Sequence, residues 1–106
     1  MIDLSGQVAI VTGGNRGIGK SIVLSLIDAG AKVCLISRSL DSAQAVQQEA
    51  VEKGGECISY QGDISNIDIC KQAVSATLER FGKINILVNN AGITKDNIFL
   101  KMTSDE

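Results

Sequence analysis

The chain contains no histidine at all. A His-ligated metal site and general-base catalysis by imidazole are therefore excluded for these residues. There is also no field of one charge sign. Ten basic residues stand against 12 acidic ones for a net charge of −2, the pI is near 5.0, and no acidic or basic block stands out. That balance argues against a nucleic-acid partner held by an overall basic surface. No apolar stretch approaches the roughly 20 residues that span a bilayer, and Met1-Ile2-Asp3-Leu4-Ser5 lacks the basic n-region of a secretory leader. The expectation is a cytoplasmic protein with no membrane partner. Cysteine is sparse: Cys34, Cys57 and Cys70 are odd in number, widely separated and each set in an apolar pattern, which predicts buried free thiols and no metal site.

What is present is a packed core in outline. The hydrophobic fraction is 44%, and periodic apolar runs recur along the whole length, which is not the composition of disorder. The most informative stretch is Thr12-Gly13-Gly14-Asn15-Arg16-Gly17-Ile18-Gly19, directly after the apolar run Val8-Ala9-Ile10-Val11. A β-branched run buried on both faces predicts a central parallel strand. From Gly17 the period becomes helical, with Ile18, Ile22, Val23, Leu26 and Ile27 on one face. Strand, glycine turn and helix make an anion cradle: the helix N-terminus carries partial positive charge, and Gly13 and Gly17 keep Cβ atoms out of the path of a pyrophosphate. Gly19 lets helix and strand pack closely.

The chain then alternates. Gly30 stops the first helix, and Val33-Cys34-Leu35-Ile36 is a second buried strand. Ser39 caps a helix with Ala43, Val46 and Ala50 inward, ended by Gly54-Gly55. Residues Glu56 to Gln61 predict a third strand near a sheet edge, closed by Asp63. Ser65-Asn66-Ile67-Asp68 has the form of a capping box, opening a helix with Ile67, Cys70, Val74, Leu78 and Phe81 inward and Gly82 past its end. Residues Ile84 to Val88 form the fourth strand. Parallel βαβ crossovers follow, with strand order 3-2-1-4 and a switch point between the first and fourth strands, where ligands of open α/β sheets bind. Beyond Ile93 the chain reads as connection, and Thr103-Ser104-Asp105-Glu106 is a second capping box with no helix after it. Residues 1–106 are thus expected to be the N-terminal part of a single domain.

Cofactor choice turns on the end of the second strand. An acidic residue there accepts hydrogen bonds from an adenosine ribose diol, but this chain has Ser37 followed by Arg38. A carboxylate would repel a 2′-phosphate, whereas a hydroxyl and a guanidinium bind one, and Arg16 in the glycine turn adds a second positive charge. These residues predict NADPH rather than NADH.

The string Thr-Gly-x-x-x-Gly-x-Gly at Thr12 to Gly19, together with Asn89-Asn90-Ala91-Gly92, resembles the two signatures of the short-chain dehydrogenase/reductase family. The likeness covers essentially all 106 residues. It implies a Rossmann-type doubly wound parallel sheet, here the N-terminal half of a three-layer α/β/α domain. Gly13, Asn15, Arg16, Gly17, Ile18 and Gly19 would form its cofactor loop. Asp63 would take the adenine amine with help from the Ile64 backbone, although an Asp there also serves simply to cap a turn. The turn at Asn89 would brace the central strands through Thr12, with Asn90, Ala91 and Gly92 along the nicotinamide ribose.

Within the family, Asn89 to Asn97 and Phe99-Leu100-Lys101-Met102 look most like the members that reduce 3-oxoacyl groups on acyl carrier protein in fatty-acid synthesis. The resemblance implies that carrier-linked substrate and a homo-oligomer, a tetramer in form. The family's reaction also uses a Ser, a Tyr and a Lys four residues after the Tyr. Tyr60 is the sole tyrosine, and Ile64 stands four residues on. The catalytic set is therefore expected beyond Glu106, and residues 1–106 alone are expected to be inactive. Other ketone, sugar or steroid reductases of the family, and a dinucleotide-binding module without chemistry, remain alternatives.

Overall fold

A computed structural model of the chain describes residues 2–13 and 17–89. Its elements alternate strictly: β1 (Val8–Thr12), α1 (Gly17–Asp28), β2 (Lys32–Ser37), α2 (Leu40–Glu52), β3 (Cys57–Gln61), α3 (Ile67–Phe81) and β4 (Ile86–Asn89). All pairings are parallel and the sheet order is β3-β2-β1-β4. Ile10 of β1 lies between Cys34 of β2 and Leu87 of β4, which sets the register across the centre of the sheet.

Alternating strand side chains point to opposite faces, and each face carries its own apolar layer. Ala9, Val11, Val33 and Leu35 pack with Val23 and Ile27 of α1 and with Ala43, Val46 and Ala50 of α2. On the other face, Ile10, Cys34 and Ile36 meet Cys70, Ala73 and Val74 of α3. Three layers result, with the glycine turn and the other strand-to-helix turns at the carboxyl edge of the sheet. All three cysteines are buried free thiols. Burial pushes the Cys34 thiol up to about 11, with a Thr77 hydrogen bond opposing, and pushes Cys57 up to about 12. Both stay neutral and behave as small apolar side chains.

The α2 stripe falls on the expected residues, and Ser39 caps that helix by accepting from the Ser42 amide at 3.3 Å. The α3 expectation needs correction at its start. Asn66, not Ser65, is the N-cap, its Oδ1 accepting from the Asp68 and Ile69 amides at 2.9 and 3.4 Å. Ser65 belongs instead to the preceding turn, where its amide donates to Asp63 Oδ1 at 2.9 Å. With the helix in this phase Ile67 faces outward, exposed by 47%, and Ala73 and Thr77 occupy the inner stripe beside Cys70 and Val74. Phe81 is half-buried, with Lys32 and Arg80 about its ring.

The fourth strand starts at Ile86 rather than Ile84. Asn85 explains the shift: its amide donates to Val8 O at 2.8 Å, and its side-chain Oδ1 accepts from Val8 N at 2.9 Å. A side chain there continues the ladder where strand backbone was expected.

If Asn66 is the cap, Asn66→Ala should cost about 1 kcal/mol of stability while Ser65→Ala costs little, because only the former removes a side-chain acceptor from the helix amides. Thermal or urea unfolding of the full-length variants measures both. A larger loss for Ser65→Ala would restore the capping box at Ser65.

Candidate functional site

Parallel pairing brings the exits of the strands to one edge. Hydrogen bonds just outside the ladder then stitch those exits together. The Gly13 amide donates to Ile36 O, and the Gly62 amide donates to Ser37 O, each at 2.8 Å. At the other side the Thr12 hydroxyl donates to Asn89 Oδ1 at 3.0 Å, so the expected tie between β1 and the Asn turn is present. The exits therefore lie side by side in the order β3, β2, β1, β4.

At the β1 exit, Gly13 and Gly17 both have positive φ, of 67° and 55°. Such angles favour glycine on backbone grounds alone. A Cβ added at Gly17 would meet no heavy atom within 4 Å. The first turn of α1 carries no acidic side chain. Gly19 is buried, as close packing of α1 on the sheet requires. Ile18 is the second residue of α1.

At the β2 exit, Ser37 is buried at 4% exposure. Its Oγ accepts from the Ser39 amide at 3.1 Å, so it leads the chain into the α2 cap. Arg38 is different, since 81% of its side chain is exposed. Its carbonyl accepts from Gln61 Nε2 at 3.3 Å, and its Nη2 lies 3.3 Å from Asp63 Oδ2.

At the β3 exit, Asp63 does cap the turn, accepting the Ser65 amide, and its carboxyl pairs with Arg38 as well. Hydrogen bonds from Ser65 chiefly hold this carboxyl below its ordinary value, and the Arg38 charge adds a smaller push in the same direction. Ile64 is a core residue on the α3 face, with its carbonyl accepting from Cys70 Sγ at 3.2 Å. Gly62 was not singled out from the sequence, although a glycine directly before Asp63 is the available signal. A Cβ there would collide with Ile69 of α3, so only glycine lets the β3 exit approach the helix this closely.

Asn15, Arg16, Asn90, Ala91 and Gly92 lie outside the described residues, as does the capping box at Thr103. Among the described residues no group of three His, Cys, Asp or Glu side chains is placed to hold a metal. Tyr60 sits on the edge strand β3, its hydroxyl hydrogen-bonded to Gln72 Oε1 at 2.7 Å. It is remote from the β1/β4 junction. An open apolar groove runs along α1 past Ile2, Leu4, Ile22 and Leu26. Ser21, Ser25 and Asp28 also line it.

Because its folded value is lowered, the Asp63 carboxyl stabilises the fold at pH above its unfolded value near 3.8. This contribution is lost as pH falls through the lower folded value. Carbon-detected NMR should find Asp63 titrating below an ordinary Asp, and still below it in Arg38→Ala, because the Ser65 hydrogen bonds remain. A return to the ordinary value in that variant would make Arg38 the dominant cause.

The chain is 43% identical over 107 residues to a 3-oxoacyl-[acyl-carrier-protein] reductase of Synechocystis sp., matching all of this chain and 43% of that protein. Among solved structures, a metagenomic short-chain oxidoreductase in complex with NADP superposes with a TM-score of 0.85 at 32% identity, over 96% of this chain and 57% of its own. A hydroxysteroid dehydrogenase from Escherichia coli gives 0.80 at 33% identity, over 82% of this chain and 37% of its own. The chain thus spans about two-fifths of the length of the curated relatives it matches, 43% of one and 41% of another. A family model described as short chain dehydrogenase matches residues 7–106. With this match and the parallel 3-2-1-4 sheet, the chain belongs to the short-chain dehydrogenase/reductase family.

Proposed function

We propose that the full-length protein is a cytoplasmic, homo-oligomeric NADPH-dependent reductase of 3-oxoacyl thioesters on acyl carrier protein, and that residues 1–106 form its cofactor half. The observation that carries the cofactor assignment is Arg38, a largely exposed guanidinium at the β2 exit, next to Ser37, which stands where a ribose-binding carboxylate would otherwise be. The residues fit a dinucleotide. Open space before Gly17 and the amides of the α1 start suit a pyrophosphate. Arg38, with Arg16 as the second cation, suits a 2′-phosphate through charge-assisted hydrogen bonds.

Asp63, Ile64, Asn15, Asn90, Ala91 and Gly92 complete the proposed contacts, from adenine at the β3 side to nicotinamide ribose at the β4 side. Bound NADPH supplies a hydride for a carbonyl. The residues of this chain bind and orient it, while the Ser, Tyr and Lys that hold and deliver the proton are assigned to the sequence after Glu106. The substrate assignment is supported by relatives 38–43% identical that carry the name 3-oxoacyl-[acyl-carrier-protein] reductase. The likeness to a hydroxysteroid dehydrogenase favours a second reading, a ketone or steroid reductase with the same cofactor half.

Titration of the full-length protein with NADPH and NADH tests the cofactor. Arg38→Ala should weaken NADPH by about 1.5–3 kcal/mol and leave NADH nearly unchanged. Equal affinity of the unmutated protein for both would overturn the assignment. Gly17→Val, shown folded by circular dichroism, should lose both cofactors, because the branched side chain enters the space before α1; unchanged affinity would refute the cradle. NADPH oxidation with acetoacetyl thioesters of acyl carrier protein, set against simple ketones and a steroid, separates the two substrate readings.

A further inference from the structure

The Arg38 guanidinium is held as well as exposed, and the group that holds it is itself fixed on two sides. The backbone at Asp63 follows directly on Gly62, whose amide is bonded to Ser37 O at 2.8 Å and whose missing side chain lets β3 leave the sheet tight against Ile69. The Asp63 side chain is fixed by the Ser65 amide on Oδ1 at 2.9 Å. The second carboxylate oxygen, Oδ2, lies 3.3 Å from Arg38 Nη2. From the other direction, Gln61 Nε2 fastens the Arg38 carbonyl at 3.3 Å.

We infer that Asp63 is a positioning residue for Arg38, holding one edge of the guanidinium at the β2 exit so that its remaining donors meet a 2′-phosphate, and that Asp63 thereby sets the preference for NADPH over NADH. This rests on the assignment of Arg38 made above. Arginine carries five N–H donors in a planar fork, so one bond to a carboxylate leaves donors for a second anion. A long side chain already held in place loses less rotamer freedom when it captures that anion. An ion pair this exposed adds little to fold stability, which leaves placement as its main consequence. The Asp63 charge also repels a phosphate. That repulsion opposes the placement effect, because a phosphate sharing the guanidinium lies inside the Debye length of about 8 Å at physiological salt.

The experiment is a double-mutant cycle on the full-length protein, with NADPH and NADH titrated by fluorescence into the unmutated form, Asp63→Asn, Arg38→Ala and the double variant. Asparagine keeps an oxygen for the Ser65 amide and turns an NH2 donor toward Arg38, so that both the charge and the acceptor facing the guanidinium are lost. Asp63→Ser, which keeps a weaker form of the same turn, is the second variant should Asp63→Asn not fold. Any contact of Asp63 with adenine is common to both cofactors and cancels in the ratio of their affinities. The ratio of NADPH to NADH affinity should fall about three- to fivefold in Asp63→Asn, the scale of one exposed ion pair. In the Arg38→Ala background the same change should leave the ratio where it is or raise it slightly, because only the repulsion is then removed. If Arg38→Ala lowers the ratio while Asp63→Asn leaves it unchanged or raises it, the positioning role is overturned and the Arg38 assignment stands. A fall of equal size in both backgrounds overturns the positioning role too, since Asp63 would then act without Arg38. A ratio indifferent to Arg38→Ala overturns the assignment itself.

Discussion

Every residue of β1, from Val8 to Thr12, is buried, and a backbone so placed must pair its N–H and C=O groups within the protein. β1 meets this demand by pairing on both sides, with β2 and with β4. Where β4 has not yet begun, the Asn85 side chain supplies the acceptor for Val8 N. Parallel neighbours on both sides require crossover connections, and crossovers of this length are helices that cover the two faces of the sheet. They also bring the carboxyl ends of all four strands to one edge. The place where the polar groups gather is thus a consequence of burying one strand completely.

At that edge the backbone is tied beyond the ladder. Bonds from Gly13 to Ile36 and from Gly62 to Ser37, together with the Thr12–Asn89 pair, fix the turns relative to one another. Chemistry-bearing side chains therefore project from a frame that is already hydrogen-bonded. Arg38 and Asp63 belong to different turns, yet their pairing is decided by the short β2–β3 ladder between Val33–Cys57 and Ser37–Gln61.

Charge plays a lesser part elsewhere. Lys20–Glu49 and Lys53–Asp28 join α1 to α2 at 3.2 and 3.4 Å, but all four side chains are substantially exposed, and such pairs contribute little. The two helices are held by their apolar stripes on Ala9, Val11, Val33 and Leu35. The buried thiols follow the same logic: Cys34 and Cys57 are kept protonated by burial, which suits packing and not nucleophilic chemistry.

The sequence by itself determined the element order, the strand order and the glycines at the exit of β1. Those properties depend on period, on β-branched runs and on glycines adjacent in the chain, so local patterns carry them. Ser39 as a cap and Ala43, Val46 and Ala50 as a buried stripe were legible for the same reason. Tertiary structure decided what depends on partners distant in the chain. Ser65 offered a capping hydroxyl, but it sits in the Asp63 turn one residue ahead, and Asn66 caps the helix. Ile67 had the right period and the wrong phase. Asn85 looked like a strand residue until Val8 claimed its side chain. Ser37 and Arg38 are adjacent in the chain, yet the fold buries the first and exposes the second. The union of Arg38 with Asp63 exists because β2 and β3 end side by side, and only the folded sheet makes them neighbours.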